Sequence, residues 1–398
     1  MKKIRKKKAQ RKKKIIIVIS ILLLIVLSYF FKIPKLDLEI SNEVNVVTLS
    51  EVKKAKWLGD GIFDEYYDAA NEKLKEMTLD EKIGQLLLVR YPDYNQVEIL
   101  RKYNFGGYLF FEKDFRYKTE AQVIKMTSEL NGITKIPIIT AVDEEGGIVV
   151  RVSSNKNLAP FRFKSPRELY KIGGLDKIYE DTIDKSKVLS KLGINLNLAP
   201  VVDIANNSWD YMFDRSVSGD AEVAANYAKT VIEASKGSGV SYTLKHFPGY
   251  GNNKDTHVGS SIDNRSYDSI MEKDILPFKA GIESGAEAVL VSHNIVSSID
   301  KQNPASLSPG IHELLRGKLG FTGVIITDDI AMQAAVSAKN ATVKAILAGN
   351  DIIITTDYLT SINDIKTAIN NKELEIEQID SLVFRILAWK YSKGLIKD

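Results

Sequence analysis

Cysteine is absent from the 398 residues, and histidine occurs only four times. Without cysteine there is no disulfide, no thiolate metal site and no lipid-bearing cysteine. A chain of this kind, if exported, draws its stability from core burial, for which the length is ample. Several catalytic signatures are missing too. There is no G-x-S-x-G nucleophile elbow, no phosphate-binding G-x-x-x-x-G-K-[ST] and no H-E-x-x-H. Nor does a G-x-G-x-x-G follow a first strand, which removes the main support for a doubly wound dinucleotide fold. A metal held by Asp and His from separate strands stays open.

Acidic residues are missing from the first fourteen positions, which hold ten Lys or Arg. The formal net charge of +4 therefore misleads: residues 15–398 carry 45 basic against 51 acidic groups, a net of −6. A mildly acidic body argues against a nucleic-acid partner. The run IIIVISILLLIVLSYFF, residues 15–31, has no charge, and its seventeen residues are near the lower limit for a bilayer-spanning helix. No small-x-small cleavage site follows it, so we expect an uncleaved signal anchor rather than a removed signal peptide. The positive-inside rule then makes 1–14 a cytoplasmic tail and puts everything after 31 outside. Residues 32–62 read as a tether, and 63–398 as one folded domain.

From about residue 64, apolar runs alternate with helical patterns. The runs fall at 84–89, 106–111, 136–143, 194–203, 240–246, 286–293, 323–329 and 350–356. Each is continuous rather than alternating, as strands buried on both faces should be. Amphipathic segments at 117–132, 177–193, 221–238, 268–284 and 333–348 lie between them, and Thr78 with Glu81 reads as a capping box. Eight such units over this length predict an α/β fold, a (β/α)8 TIM-type barrel. The last segment, 376–391, is expected to pack on the outside of that barrel as a closing helix.

Active sites of such barrels sit at the C-terminal ends of the strands. Here those ends carry Asp143, Asp203, Lys245 with His246, His293, and Asp328 with Asp329. The stretch KHFPGYGNNKDTH, 245–257, adds two of the four histidines, and its Asp255 and His257 are close enough in sequence to hydrogen-bond. An acidic partner fixes the tautomer of a proton-transferring imidazole. A ring of carboxylates, imidazoles and a lysine suits a polyhydroxylated substrate. One carboxylate would attack and one protonated group would serve the leaving oxygen.

The motifs AVDEEGGIVVRV (141–152), NLAPVVDI (197–204), FDRSVSGD (213–220), KHFPGYGNNKDTH (245–257), VSHNIV (291–296) and GVIITDDIAMQAA (323–335) together resemble the family 3 glycoside hydrolases. The resemblance is to their single-domain N-acetyl-β-glucosaminidase branch. It implies that Asp328 is the nucleophile and that His257, partnered by Asp255, is the general acid/base. It also implies that Asp143, Arg151, Arg215, Lys245 and His246 grip the sugar; His293, at the end of the sixth run, joins that binding set. Two departures bear on specificity: Ile148 stands where the family often has Arg, and Tyr250 where it usually has His. No cofactor is implied.

The resemblance further implies GlcNAc-containing wall fragments or muropeptides as substrate. With the anchor, it puts a single-pass protein at a bacterial cell membrane with its catalytic domain outside. The Lys-, Asn- and Ile-rich composition is compatible with a Gram-positive source. A glycoside phosphorylase, a β-glucosidase and a non-catalytic wall-binding barrel remain the competing readings.

Overall fold

Each of the eight apolar runs contains a strand in the computed structural model, which describes residues 61–253, 261–332 and 340–397. In chain order the barrel strands are β1 (Leu87–Arg90), β2 (Gly107–Phe110), β3 (Ile139–Val142), β4 (Leu196–Asn197), β5 (Ser241–Phe247), β6 (Ala288–Val291), β7 (Val324–Thr327) and β8 (Ile353–Thr355), and Ile262–Asp263 pairs with Ile295–Val296 apart from them. All pair in parallel in the order β8-β1-β2-β3-β4-β5-β6-β7. The two ends of that order meet at a bridge between Ile326 and Ile352. There the Thr327 Oγ1 stands in for a backbone acceptor, taking the Ile354 N–H at 3.0 Å. The result is an eight-stranded parallel α/β barrel of the TIM type. The basic tail 1–14, the span expected at 15–31, the tether to residue 60, and Asp255 with His257 lie outside the described residues. Among the described residues, no helix is long and apolar enough to cross a membrane.

Local sequence explains most element boundaries. Thr78 and Glu81 form the expected capping box ahead of the helix Leu79–Gln85. That helix takes Gly84 and Gln85, so the first strand begins at Leu87, later than the apolar run suggested. The added glycine Cβ at Gly84 would sit 2.2 Å from the Tyr103 carbonyl oxygen, a close approach that only glycine permits here. The third crossover helix, Pro166–Lys191, starts eleven residues before the expected 177. Ser165 caps it and Pro166 opens it. Its periodicity is hidden in the sequence because Gly173 and Gly174 interrupt the helical backbone.

The C-terminal helix Ile376–Ser392 packs outside the barrel as a closing helix, as expected, and it does so under the N-terminal ends of the strands. Lys390 Nζ reaches Gln85 Oε1 at 2.7 Å and the Gly106 carbonyl at 2.9 Å, below β1 and β2. Trp389, fully buried, donates its indole N–H to Ser241 Oγ and Glu287 Oε2 at the feet of β5 and β6. Arg385 pairs with buried Asp351 below β8, and Arg316 meets the same carboxylate at 2.6 Å. The physical reason is that a barrel floor exposes strand-end carbonyls and polar side chains. A helix presenting Arg, Trp and Lys donors satisfies them, where an apolar one would not.

Burial of Lys390 with no carboxylate at hand pushes its ammonium down to about 7, from an ordinary 10.5. Between those values the unfolded chain binds a proton that the folded chain does not, so stability rises with pH across that window. Urea unfolding at pH 7 and pH 9 should therefore show wild type gaining on Lys390→Met by up to about 1.4 kcal/mol per pH unit. A wild-type-minus-variant difference that stays flat would refute this account of the floor.

Candidate active site

At the opposite mouth, the strand ends converge on a cavity of about 320 Å³. Its walls include Asp143, Glu145, Arg151, Arg215, Lys245, His246, Asp328 and Asp329. Leu109, Leu198, Leu290 and Ile354, one from or beside each of four strands, contribute apolar lining. Six of the nine expected site residues thus share one pocket.

Lys245 is the hub. Its side chain is almost wholly buried near the end of β5, and Nζ sits 2.8 Å from Asp143 Oδ1 and 2.7 Å from Glu145 Oε1. Glu145 in turn receives a two-pronged contact from Arg215, with Nε to Oε2 at 2.9 Å and Nη2 to Oε1 at 2.7 Å. Burial alone would raise the Glu145 carboxyl, but Arg215 and then Lys245 hold it far below the usual carboxylate range. Asp143 behaves alike: Lys245, then Arg151, outweigh its burial and bring it below its ordinary value. Both carboxylates are thus ionised acceptors rather than acids.

His246 is fixed from both sides. Arg215 Nη2 can only donate, so Nε2, 3.3 Å away, accepts, and Nδ1 carries the proton toward Asp203 Oδ2 at 2.7 Å. Asp203, fully buried, also takes the His246 and Tyr250 backbone N–H groups at 3.2 and 2.7 Å. It therefore organises the turn after β5 rather than meeting substrate. Tyr250, the departure noted above, is buried, with its ring 5.6 Å from those of Tyr211 and His246. The peptide bonds Lys245–His246 and Phe247–Pro248 are both cis.

Asp328 follows β7 directly. Its N–H donates to the Val291 carbonyl at 2.9 Å, which locks it to β6, and its Oδ1 accepts the Asp329 N–H at 2.9 Å. Burial, together with the neighbouring Asp328 charge, pushes the Asp329 carboxyl up. His293 does not line the cavity. It is fully buried, donates from Nε2 to the Asp329 carbonyl at 2.9 Å and accepts at Nδ1 from Ser306 Oγ at 2.6 Å. Its place is behind the Asp328–Asp329 pair, holding that backbone.

Asp255 and His257 lie outside the described residues, and the chain on either side of them is described. Arg265 donates to Asp263 Oδ2 at 2.6 Å, to Asp274 Oδ2 at 2.7 Å and to the Gly249 carbonyl at 3.4 Å. One guanidinium therefore ties the entry and exit of that segment together. Asp274 comes from a widened turn, Ile270–Asp274, in the following helix.

Glu145 and Arg90 are the charged cavity residues that the sequence reading missed. Glu145 lies inside the quoted DEEGG motif, where a second acid is easily read as a turn residue. Its neighbour Glu144 does play that part, accepting the Arg151 and Val152 N–H groups at 2.8 and 2.7 Å. Gly146 and Gly147 both take positive φ, +101° and +65°, in the turn that follows. Among the described residues, no group of three His, Asp or Glu is arranged to hold a metal ion.

The profile described as Glycosyl hydrolase family 3 N terminal domain matches residues 78–389. A curated relative, Beta-hexosaminidase of Xylella fastidiosa (strain M23), is 30% identical over 312 residues, covering 76% of this chain and 90% of that protein. A glycoside hydrolase family 3 beta-N-acetylglucosaminidase from Paenibacillus sp. str. FPU-7 has a similar fold, with a TM-score of 0.75 at 28% identity. That match covers 81% of this chain and 64% of the longer protein. A glycosyl hydrolase family 3 member from Mycobacterium smegmatis gives a TM-score of 0.72 at 28% identity, covering 79% of this chain and 98% of that one.

Replacing Glu145 by Gln strips the shared countercharge from two buried cations. Breaking a buried pair of this kind typically costs about 3–5 kcal/mol. Since Asp143 still serves Lys245, we expect a loss near the low end, about 3 kcal/mol, in urea unfolding. A change within experimental error would contradict the assignment of Glu145 as the cluster's anchor.

Proposed function

The chain belongs to glycosyl hydrolase family 3, and from that premise we propose that it is a retaining, exo-acting β-N-acetylglucosaminidase. The observation that carries the proposal is the shared cavity: Asp328 lines the same space as the Asp143–Lys245–Glu145–Arg215 cluster. Charged donors and acceptors fixed on rigid strand ends suit a ring of hydroxyl and amide groups, because they need no reorganisation when the sugar binds.

In the first step an Asp328 oxygen bonds to the anomeric carbon as the bond to the leaving oxygen breaks, and His257 gives its proton to that oxygen. In the second, water attacks the same carbon from the vacated face, His257 takes a water proton, and the Asp328 ester bond breaks. Two inversions give net retention. A histidine suits both roles, since its unperturbed pKa of about 6.5 lies near neutral pH and Asp255 would raise it modestly. We extend the reading to wall-derived glycans bearing terminal GlcNAc as substrate. The segment 15–31 would serve as a membrane anchor that leaves the catalytic domain outside.

With purified full-length protein, para-nitrophenyl N-acetyl-β-glucosaminide should be cleaved faster than the matching glucoside. Asp328→Asn should lower kcat/KM by at least about a thousandfold, as expected when a nucleophile is removed. His257→Ala should flatten the neutral-pH dependence of kcat/KM. A preference for the glucoside would move the reading to a β-glucosidase, and full activity in Asp328→Asn would remove Asp328 from the chemistry.

A further inference from the structure

The helix Pro166–Lys191 turns a polar face toward the barrel. Asp181, Thr182, Lys185 and Ser186 are all buried, at spacings that put them on one side of the helix. A helix covering a barrel ordinarily presents an apolar stripe there. Contacts with β5 account for two of the four. Ser186 Oγ lies 3.0 Å from the Tyr242 hydroxyl, and the Thr182 carbonyl accepts from that hydroxyl at 3.4 Å. Asp181 and Lys185 form an ion pair at 3.1 Å, both side chains more than nine-tenths buried. Burial opposes the Lys185 charge, but Asp181 outweighs it and holds the ammonium above its ordinary value. Two apolar side chains of similar volume would stabilise the fold as well as such a buried pair. Stability therefore does not explain it.

The Lys185 ammonium also donates to the Glu145 carbonyl at 3.2 Å and lies 5.2 Å from the Phe163 ring centroid. Glu145 is held at both ends. Its carboxylate meets Lys245 and Arg215 on the cavity side, and its carbonyl meets Lys185 on the helix side. Gly146 and Gly147, both at positive φ, follow it, so the turn offers little stiffness of its own. A rotation of the peptide after Glu145 would carry the carboxylate off its two cations. Between helix and turn lies a void of only about 10 Å³, walled in part by Glu145, Asp181, Lys185 and Tyr227. It has room for about one water molecule, which leaves the ammonium little play. We propose that Lys185, anchored by Asp181, is a positioning residue that sets the Glu145 backbone from behind and, through it, the geometry of the Lys245–Arg215 cluster. This rests on reading the cavity as a saccharide pocket, though Lys185 itself touches no substrate.

The test is the double variant Asp181→Leu/Lys185→Met, which removes both charges at similar volume and should cost the fold little in urea. On para-nitrophenyl N-acetyl-β-glucosaminide it should nonetheless lose at least about tenfold in kcat/KM, because Glu145 is no longer held in register. In a Glu145→Gln background the same pair of substitutions should cost almost nothing further, since the group being positioned is already gone. A purely structural role would lower the urea midpoint and leave kcat/KM of the folded variant intact, which overturns the proposal. The full loss recurring in the Glu145→Gln background also overturns it, because Lys185 would then act on something other than Glu145. If the apolar pair fails to fold, Asp181→Asn/Lys185→Gln takes its place with the same expectations. A crystal structure of the double variant reads the point without turnover: Glu145 should part from Arg215 or Lys245, and a carboxylate still in contact with both refutes the positioning role. If wild type cleaves no β-GlcNAc compound, the functional reading fails and that crystal structure alone decides.

Discussion

One buried ammonium holds the active mouth together. Lys245 sits between Asp143 and Glu145 at 2.8 and 2.7 Å, and Arg215 closes the cluster from the far side of Glu145. Two cations and two anions in this arrangement compensate each other's desolvation, which no single pair here would do. The consequences spread along the chain. Arg215 also touches His246 and so fixes its tautomer, His246 leans on Asp203, and Asp203 holds the turn at Tyr250. The segment carrying Asp255 and His257 therefore departs from a turn whose position is set by charge pairing several residues earlier.

The two mouths of the barrel divide the work. The N-terminal floor is sealed by a helix that spends Arg385, Trp389 and Lys390 on strand-end acceptors, and every one of those groups is paired inward. The C-terminal mouth keeps charged groups lining an open cavity, and behind them Arg151 Nε is buried without an acceptor. Unspent polar capacity costs stability, and a fold tolerates it where a ligand repays it.

What could be read from the sequence follows from the range over which each interaction acts. Strand identity is local: eight continuous apolar runs each contain one of the eight barrel strands, because burial on both faces leaves no alternation to misread. The position of Asp328 and Lys245 at strand ends is nearly as local. The closing helix is legible as an outer element, but which side it covers is not, because its apolar spacing is the same whether it packs on a flank or under a floor. What distinguishes the two is the partners of Lys390 and Trp389, more than a hundred residues away in sequence. Glu145 was missed for a similar reason, since its role depends on Lys245 from β5 and Arg215 from the loop after β4 reaching it. His293 was rightly seen at a strand end, but alternation of side chains sends it behind Asp328 toward Ser306. The expectations for 15–31, Asp255 and His257 rest on sequence alone.

The central claim is double displacement through Asp328, and it is most directly tested by the anomeric form of the first product. Proton NMR of the reaction mixture, begun before mutarotation, distinguishes the two anomers of released GlcNAc. The β-anomer appearing first, and decaying toward the equilibrium mixture, is the result this account predicts. An initial burst of the α-anomer would mean a single inverting displacement by water, and Asp328 would then be a base or a sugar-binding group instead of the nucleophile.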